Sequence, residues 1–161
     1  MVTKVQEAAK SSLHYKPNLV LINAGTNDCR LNLDIKNTGK RMRVLIESIL
    51  KASGMENTAI VLSTLIPSVQ NQTAAHRPAV NDQYRHLVTA MRKEGVPIVL
   101  ADMDPPAPAD DSGWLSWPAD YTINGKADST HPNDHGYSKM ACVWFKAIKE
   151  AYDQRLIKSL T

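Results

Sequence analysis

The chain has 161 residues, 43% of them hydrophobic and 22% charged, with a formal net charge of +3. That is the make-up of one globular domain, residues 1–161, with enough chain for a single core. The positive excess is too modest to suggest nucleic acid, and no apolar run approaches the ~20 residues a membrane span needs, so neither nucleic acid nor membrane is expected as a partner.

Residues 3–15 are predicted to form a helix, with Val5, Ala8, Ala9, Ser12 and Leu13 on one face. The N-terminal residues lack the apolar core of a signal peptide. The compartment is left open, since a signal upstream would make the parent protein a secreted one. Leu19-Val20-Leu21-Ile22, between Pro17 and Gly25, has the continuous apolar character of a strand buried on both faces. A polar loop is expected over 26–37. A helix over 38–53 follows, with Met42, Leu45, Ile46, Ile49 and Leu50 inward and Gly54 as its cap. The basic run Lys36 to Arg43 is read as its solvated face. Ala59-Ile60-Val61-Leu62 is the second buried strand and 67–74 a loop. Residues 75–94 make a helix carrying Val80, Tyr84, Leu87, Val88 and Met91, stopped by Gly95. Val96 to Leu100 is the third strand. A long loop over 103–133 holds Trp114, Trp117 and Tyr121, and the last helix covers 134–157 with Tyr137, Met140, Ala141, Trp144, Phe145 and Ile148 inward.

Helices alternating with strands over short connections predict a parallel sheet with helices on both faces. Ligands of such sheets bind outside the carboxyl ends of the strands. Gly25-Thr26-Asn27-Asp28, Ser63-Thr64 and the loop leading to His131 all fall on that edge.

The chemistry is concentrated in two of these segments. In Asp128-Ser129-Thr130-His131, a carboxylate three residues before an imidazole can hold one ring tautomer, leaving the far nitrogen free to take a proton from a nucleophile. Asn27, just past a buried strand, can aim an amide N–H at a developing oxyanion. Asp28 is read as structural. A metal reading of Asp128, His131, Asp134 and His135 is set aside, because Pro132 places His131 at a helix cap and no glutamate follows the first histidine. Cys29 and Cys142 lie too far apart in sequence for a zinc or disulfide framework, and Cys142 is expected to be a buried free thiol. No activated serine is evident. Ser63, Ser68 and Ser129 lack a nucleophile elbow or a Gly-Asp-Ser run, and nothing in the sequence beside Cys29 would activate its thiol.

Lys16-Pro17-Asn18-Leu19-Val20-Leu21-Ile22-Asn23-Ala24-Gly25-Thr26-Asn27-Asp28 resembles the third block, Gly-x-Asn-Asp, of the SGNH (GDSL-type) hydrolase superfamily. Asp128-Ser129-Thr130-His131-Pro132-Asn133-Asp134-His135-Gly136-Tyr137 resembles its fifth block. The run around Cys29 and Lys139-Met140-Ala141 look most like fungal acetyl xylan esterase-type carbohydrate esterases. The resemblance implies a flavodoxin-like three-layer α/β/α fold, a Ser–His–Asp triad and no cofactor or metal. It makes His131 the general base, Asp128 its orienter and Asn27 an oxyanion donor. Gly25, Trp114 and Trp117 are the expected substrate contacts.

The family's Gly-Asp-Ser block, on its first strand, and its second-block glycine have no counterpart here. The chain is therefore expected to be an N-terminally truncated esterase core, inactive as it stands, whose ancestral substrate is a small-molecule or carbohydrate ester. Trp114, Trp117 and Tyr121 then either form a sugar-stacking rim or bury loop surface. The other reading is a non-catalytic module that binds a carbohydrate or small ligand, or self-associates through the sheet edge left open at Leu19–Asn23. A flavodoxin-type cofactor or receiver domain fits the architecture but lacks a phosphate-cradling loop.

Overall fold

The computed structural model of the protein describes residues 15–105 and 115–159. Three strands, β1 (Leu19–Ile22), β2 (Ala59–Ser63) and β3 (Ile98–Ala101), form a parallel sheet in the order β1-β2-β3, with Leu19 opposite Ala59 and Ile60 opposite Ile98. Among the described residues four α-helices accompany them: α1 (Thr26–Arg30), α2 (Thr38–Leu50), α3 (Asn71–Lys93) and α4 (Asp134–Asp153). A small antiparallel hairpin, β4 (Thr122–Ile123) and β5 (Lys126–Ala127), precedes α4.

β2 lies in the middle and every one of its residues is buried. Its two faces carry separate apolar clusters. On one, Ile60, Leu62 and Ile98 pack with Met42, Leu45 and Ile46 of α2 and Val80, Tyr84 and Met91 of α3. On the other, Val61, Val99 and Ala101 pack with Ala147 and Ala151 of α4. This is the three-layer α/β/α arrangement, with alternate strand residues feeding opposite layers.

Several elements depart from the sequence reading. The helix expected over 3–15 falls outside the described residues except for Tyr15. β1 is not buried on both faces: among the described residues it pairs only with β2, and Leu21 is 46% exposed. A continuous apolar run is the signature of an inner strand, and β1 lies at the rim of this sheet. The segment expected as a polar loop contains α1 and a 3-10 turn over Ile35–Asn37. α2 ends at Leu50 with Lys51 as its cap, and Gly54 serves the turn beyond it at φ +81°. α3 begins four residues early because Gln70 caps it, its side chain accepting from the Thr73 N–H at 2.8 Å.

The inward stripe of α4 is Met140, Val143, Trp144, Ala147, Ile148 and Ala151. Tyr137 and Phe145, expected inward, are 50% and 68% exposed, and Ala141 is exposed too. Cys142 also lies outside the stripe and is exposed, not buried. Apolar residues nearly circle this helix, so periodicity alone left its rotation open.

Candidate active site

β1 ends at Ile22, and the next residue, Asn23, donates from Nδ2 to Ser63 Oγ at 2.7 Å, tying together the carboxyl ends of β1 and β2. The chain then turns at Gly25, where φ is +124° and a Cβ would stand 2.8 Å from the Tyr84 hydroxyl. Only glycine fits that backbone and that approach. The turn starts α1, which carries Asn27 at the edge of the sheet. Asp28, on the same turn, is buried and 3.7 Å from Arg41.

Asn27 Oδ1 accepts from Arg30 Nε at 3.2 Å. A guanidinium only donates, so the amide oxygen faces Arg30 and the amide NH2 is turned the other way. Among the described residues that NH2 has no partner.

The second segment approaches from the hairpin. Asp128 Oδ1 accepts from the backbone N–H of Thr130 at 2.7 Å and of His131 at 2.8 Å. Its Oδ2 lies 3.2 Å from His131 Nδ1. The backbone N–H of His131, then that of Thr130, hold the Asp128 carboxyl below the usual carboxylate range. Because the carboxylate can only accept, Nδ1 carries the proton in the neutral ring and Nε2 keeps its lone pair. The His131 side chain is 72% exposed. His131 and Asn27 face one cavity of about 500 Å3, lined also by Asn23, Thr26, Arg30, Thr130, Tyr137 and Met140.

A buried knot supports this loop. Asp120, fully buried, accepts from Ser116 N at 2.6 Å, His135 Nδ1 at 2.7 Å and Lys139 Nζ at 3.0 Å. Burial alone would raise its pKa, but these three donors outweigh it and hold the carboxyl low. Asn133 caps α4 by accepting from Gly136 N at 2.9 Å and donates to the carbonyls of Ala119 and Thr122. Gly136 is required, since a Cβ would meet Asp120 O at 2.6 Å and Pro132 Cβ at 2.7 Å.

Of the residues singled out in the sequence, Asn27, Asp128 and His131 thus come together. Gly25 is buried beneath the site and does not line the cavity. Trp117 is 47% exposed and donates from Nε1 to the Asp128 carbonyl at 3.0 Å, bracing the dyad loop from outside the cavity. Trp114 lies outside the described residues. Tyr121 forms no rim: it is fully buried, with its hydroxyl on the Pro67 carbonyl. His131 and His135 take separate carboxylates, Asp128 and Asp120. No group of three His, Cys, Asp or Glu among the described residues is arranged to hold a metal.

No serine among the described residues lines the cavity. Ser63 is fully buried and bonded to Asn23, and Ser68 donates to the Ser129 carbonyl at 2.8 Å. Cys29 is fully buried, and burial, followed by the neighbouring Asp28 charge, pushes its thiol up to about 11. Sequence reasoning missed Arg30, Asn23 and the Asp120–His135–Lys139 knot. The three-residue spacing of Asn27 and Arg30 was the available signal, but it has meaning only on a helix, and this segment was read as a loop.

A model of the GDSL-like Lipase/Acylhydrolase family matches residues 3–139. Among solved structures, the chain is similar to a family 3 carbohydrate esterase of Clostridium thermocellum, with a TM-score of 0.69 and 18% identity over 96% of this chain and 68% of that one. It is also similar to an acetyl esterase mutant solved with an acetate ion, with a TM-score of 0.65 and 20% identity over 90% of this chain and 64% of that one. At these identities the likeness is one of fold, and the chain spans about two thirds of the length of these structures. No curated protein matches the sequence.

Proposed function

This chain belongs to the GDSL-like lipase/acylhydrolase family, and on that premise we propose that its cavity is the base-and-oxyanion side of a carboxylic ester hydrolase. The observation that carries the reading is the shared cavity of His131 and Asn27, with Asp128 behind the imidazole. In the proposed reaction His131 Nε2 takes the proton of an attacking hydroxyl. Asp128 holds the tautomer and stabilises the imidazolium, and the Asn27 NH2 donates to the oxyanion of the tetrahedral intermediate. A small acyl ester of a carbohydrate, the substrate class suggested by the names of the similar structures, suits a cavity of about 500 Å3.

The attacking hydroxyl is the part that no described serine supplies. Without it, the base has only water to activate, and loss of a triad member leaves little more than the residual catalysis of binding and oxyanion stabilisation. The chain by itself is therefore expected to show negligible turnover of an aryl acetate, and a peptide strand bearing Gly-Asp-Ser added in trans is expected to confer turnover that His131→Ala abolishes. Turnover by the chain alone that depends on His131 would place the nucleophile within it. No turnover in either arm, with ligand binding intact, would favour the second reading, a binding module that keeps the cleft without the chemistry. The absence of a serine from the described cavity lining supports that alternative.

A further inference from the structure

The residues lining the cavity have a one-sided charge. Arg30 is a full cation and His131 a second group able to carry positive charge, while no aspartate or glutamate among the described residues lines the wall. The carboxylates adjacent in sequence are engaged elsewhere. Asp128 uses one oxygen on two backbone N–H groups and the other on His131, and Asp28 is buried beside Arg41. Arg30 itself makes no ion pair among the described residues. Its Nε is bonded to Asn27 Oδ1, and its two terminal nitrogens have no partner there. An arginine with a free two-nitrogen edge, in the wall of a cavity that Asn27 also lines, matches the planar acceptor pattern of a carboxylate.

We propose that Arg30 makes this cavity selective for ligands that carry a carboxylate. The inference rests on reading the cavity as the ester site, and it names the ligand class that site prefers. Arg30 acts in two ways. It supplies the cation, and by donating to Asn27 Oδ1 it keeps the amide NH2 available as a donor. A neutral ligand gains the second effect and not the first. Two sources of the carboxylate fit: the acid released from an ester, with its charge at the reacting end, and an acidic sugar, with its charge at a distance from it.

The test is a titration of the isotope-labelled chain followed by NMR at the Asn27 side-chain NH2 and the His131 ring. Acetate and its neutral isostere acetamide probe the first source, and glucuronate and glucose the second. For acetate, a dissociation constant on the order of millimolar is expected, as befits so small a ligand. Acetamide is expected to bind about two- to fivefold more weakly, the range that one exposed ion pair supplies. Arg30→Gln, at an exposed position that tolerates it, should erase the preference, and Arg30→Lys should retain part of it.

Discrimination within the acetate pair assigns the carboxylate to the released acid, and discrimination within the glucuronate pair alone assigns it to an acidic sugar. Either supports the proposal. Equal binding of charged and neutral partners, a preference that survives Arg30→Gln, or shifts scattered over surface residues that leave Asn27 unmoved would overturn it. These outcomes do not depend on turnover, so failure here leaves the ester reading to be judged by the aryl acetate assay.

Discussion

Asp120 is the residue on which the site geometry most depends without touching the cavity, and its replacement by asparagine tests that directly. The carboxylate is fully buried and accepts from Ser116 N, His135 and Lys139, while its own backbone carbonyl accepts from Asn133 N at 2.8 Å. Asparagine is close in shape but turns a donor toward at least one of those three donors and leaves Lys139 without its counter-ion. Removing one partner of a fully buried ion pair costs about 3–5 kcal/mol. Here the Lys139 and His135 side chains are 21% and 71% exposed, so water recovers part of their hydration. The expected cost is therefore about 2–3 kcal/mol, which for a chain of this size lowers Tm by roughly 5–10 °C. Thermal and urea unfolding followed by circular dichroism would measure it. Adding Lys139→Met should recover about 1 kcal/mol, because the stranded ammonium is then gone. A Tm for Asp120→Asn within about 2 °C of the wild type would refute the account, since that corresponds to only ~0.5 kcal/mol.

The pH dependence of the same pair of proteins has a definite sign. The folded carboxyls of Asp120 and Asp128 both titrate below their ordinary value. The stability they confer is complete above the unfolded pKa of about 3.9 and is lost as pH falls through the lower folded value. The gap between wild type and Asp120→Asn should therefore hold from pH 7 to 5 and narrow below pH 4 in urea titrations. A gap that widens on acidification would contradict this. Native chain should react with a thiol reagent at pH 8 at Cys142 alone, with Cys29 reacting only after denaturant is added, because it is buried with a thiol pushed up to about 11. Two equally fast thiols would show that the layer around α1 opens readily. The side of β1 that has no partner among the described residues, with Leu21 exposed, should drive self-association. A clean monomer by light scattering at micromolar concentration would count against it. Gly136→Ala should cost about 1–3 kcal/mol by overpacking against the Asp120 backbone, and an unchanged Tm would mean that the α4 entry can shift.

Much of this molecule is legible from local pattern. The apolar runs at 19–22, 59–62 and 96–100 mark the strands, the alternation with amphipathic helices marks a parallel sheet, and the carboxyl-edge rule points to 25–28 and 128–131 before any coordinates. These properties depend on residues close in sequence and on the handedness of their connections, so the sequence by itself determined them. Tertiary structure decided the rest. The four apolar residues of β1 read as an inner strand, and the exposure of Leu21 depends on neighbours, not on that run. The rotation of α4, which exposes Phe145 and Cys142, depends on which of several apolar faces meets Val61 and Val99. The partner of His135 was set in the same way. His135 is nearer in sequence to Asp134 and Asp128 but bonds Asp120, because the hairpin folds that carboxylate under the first turn of α4. The cation of the cavity escaped notice because Arg30 acquires its bearing on Asn27 only when the chain after Gly25 coils into a helix, a conformation that a glycine held at φ +124° against Tyr84 makes available and that no periodic pattern in four polar residues and one cysteine announces.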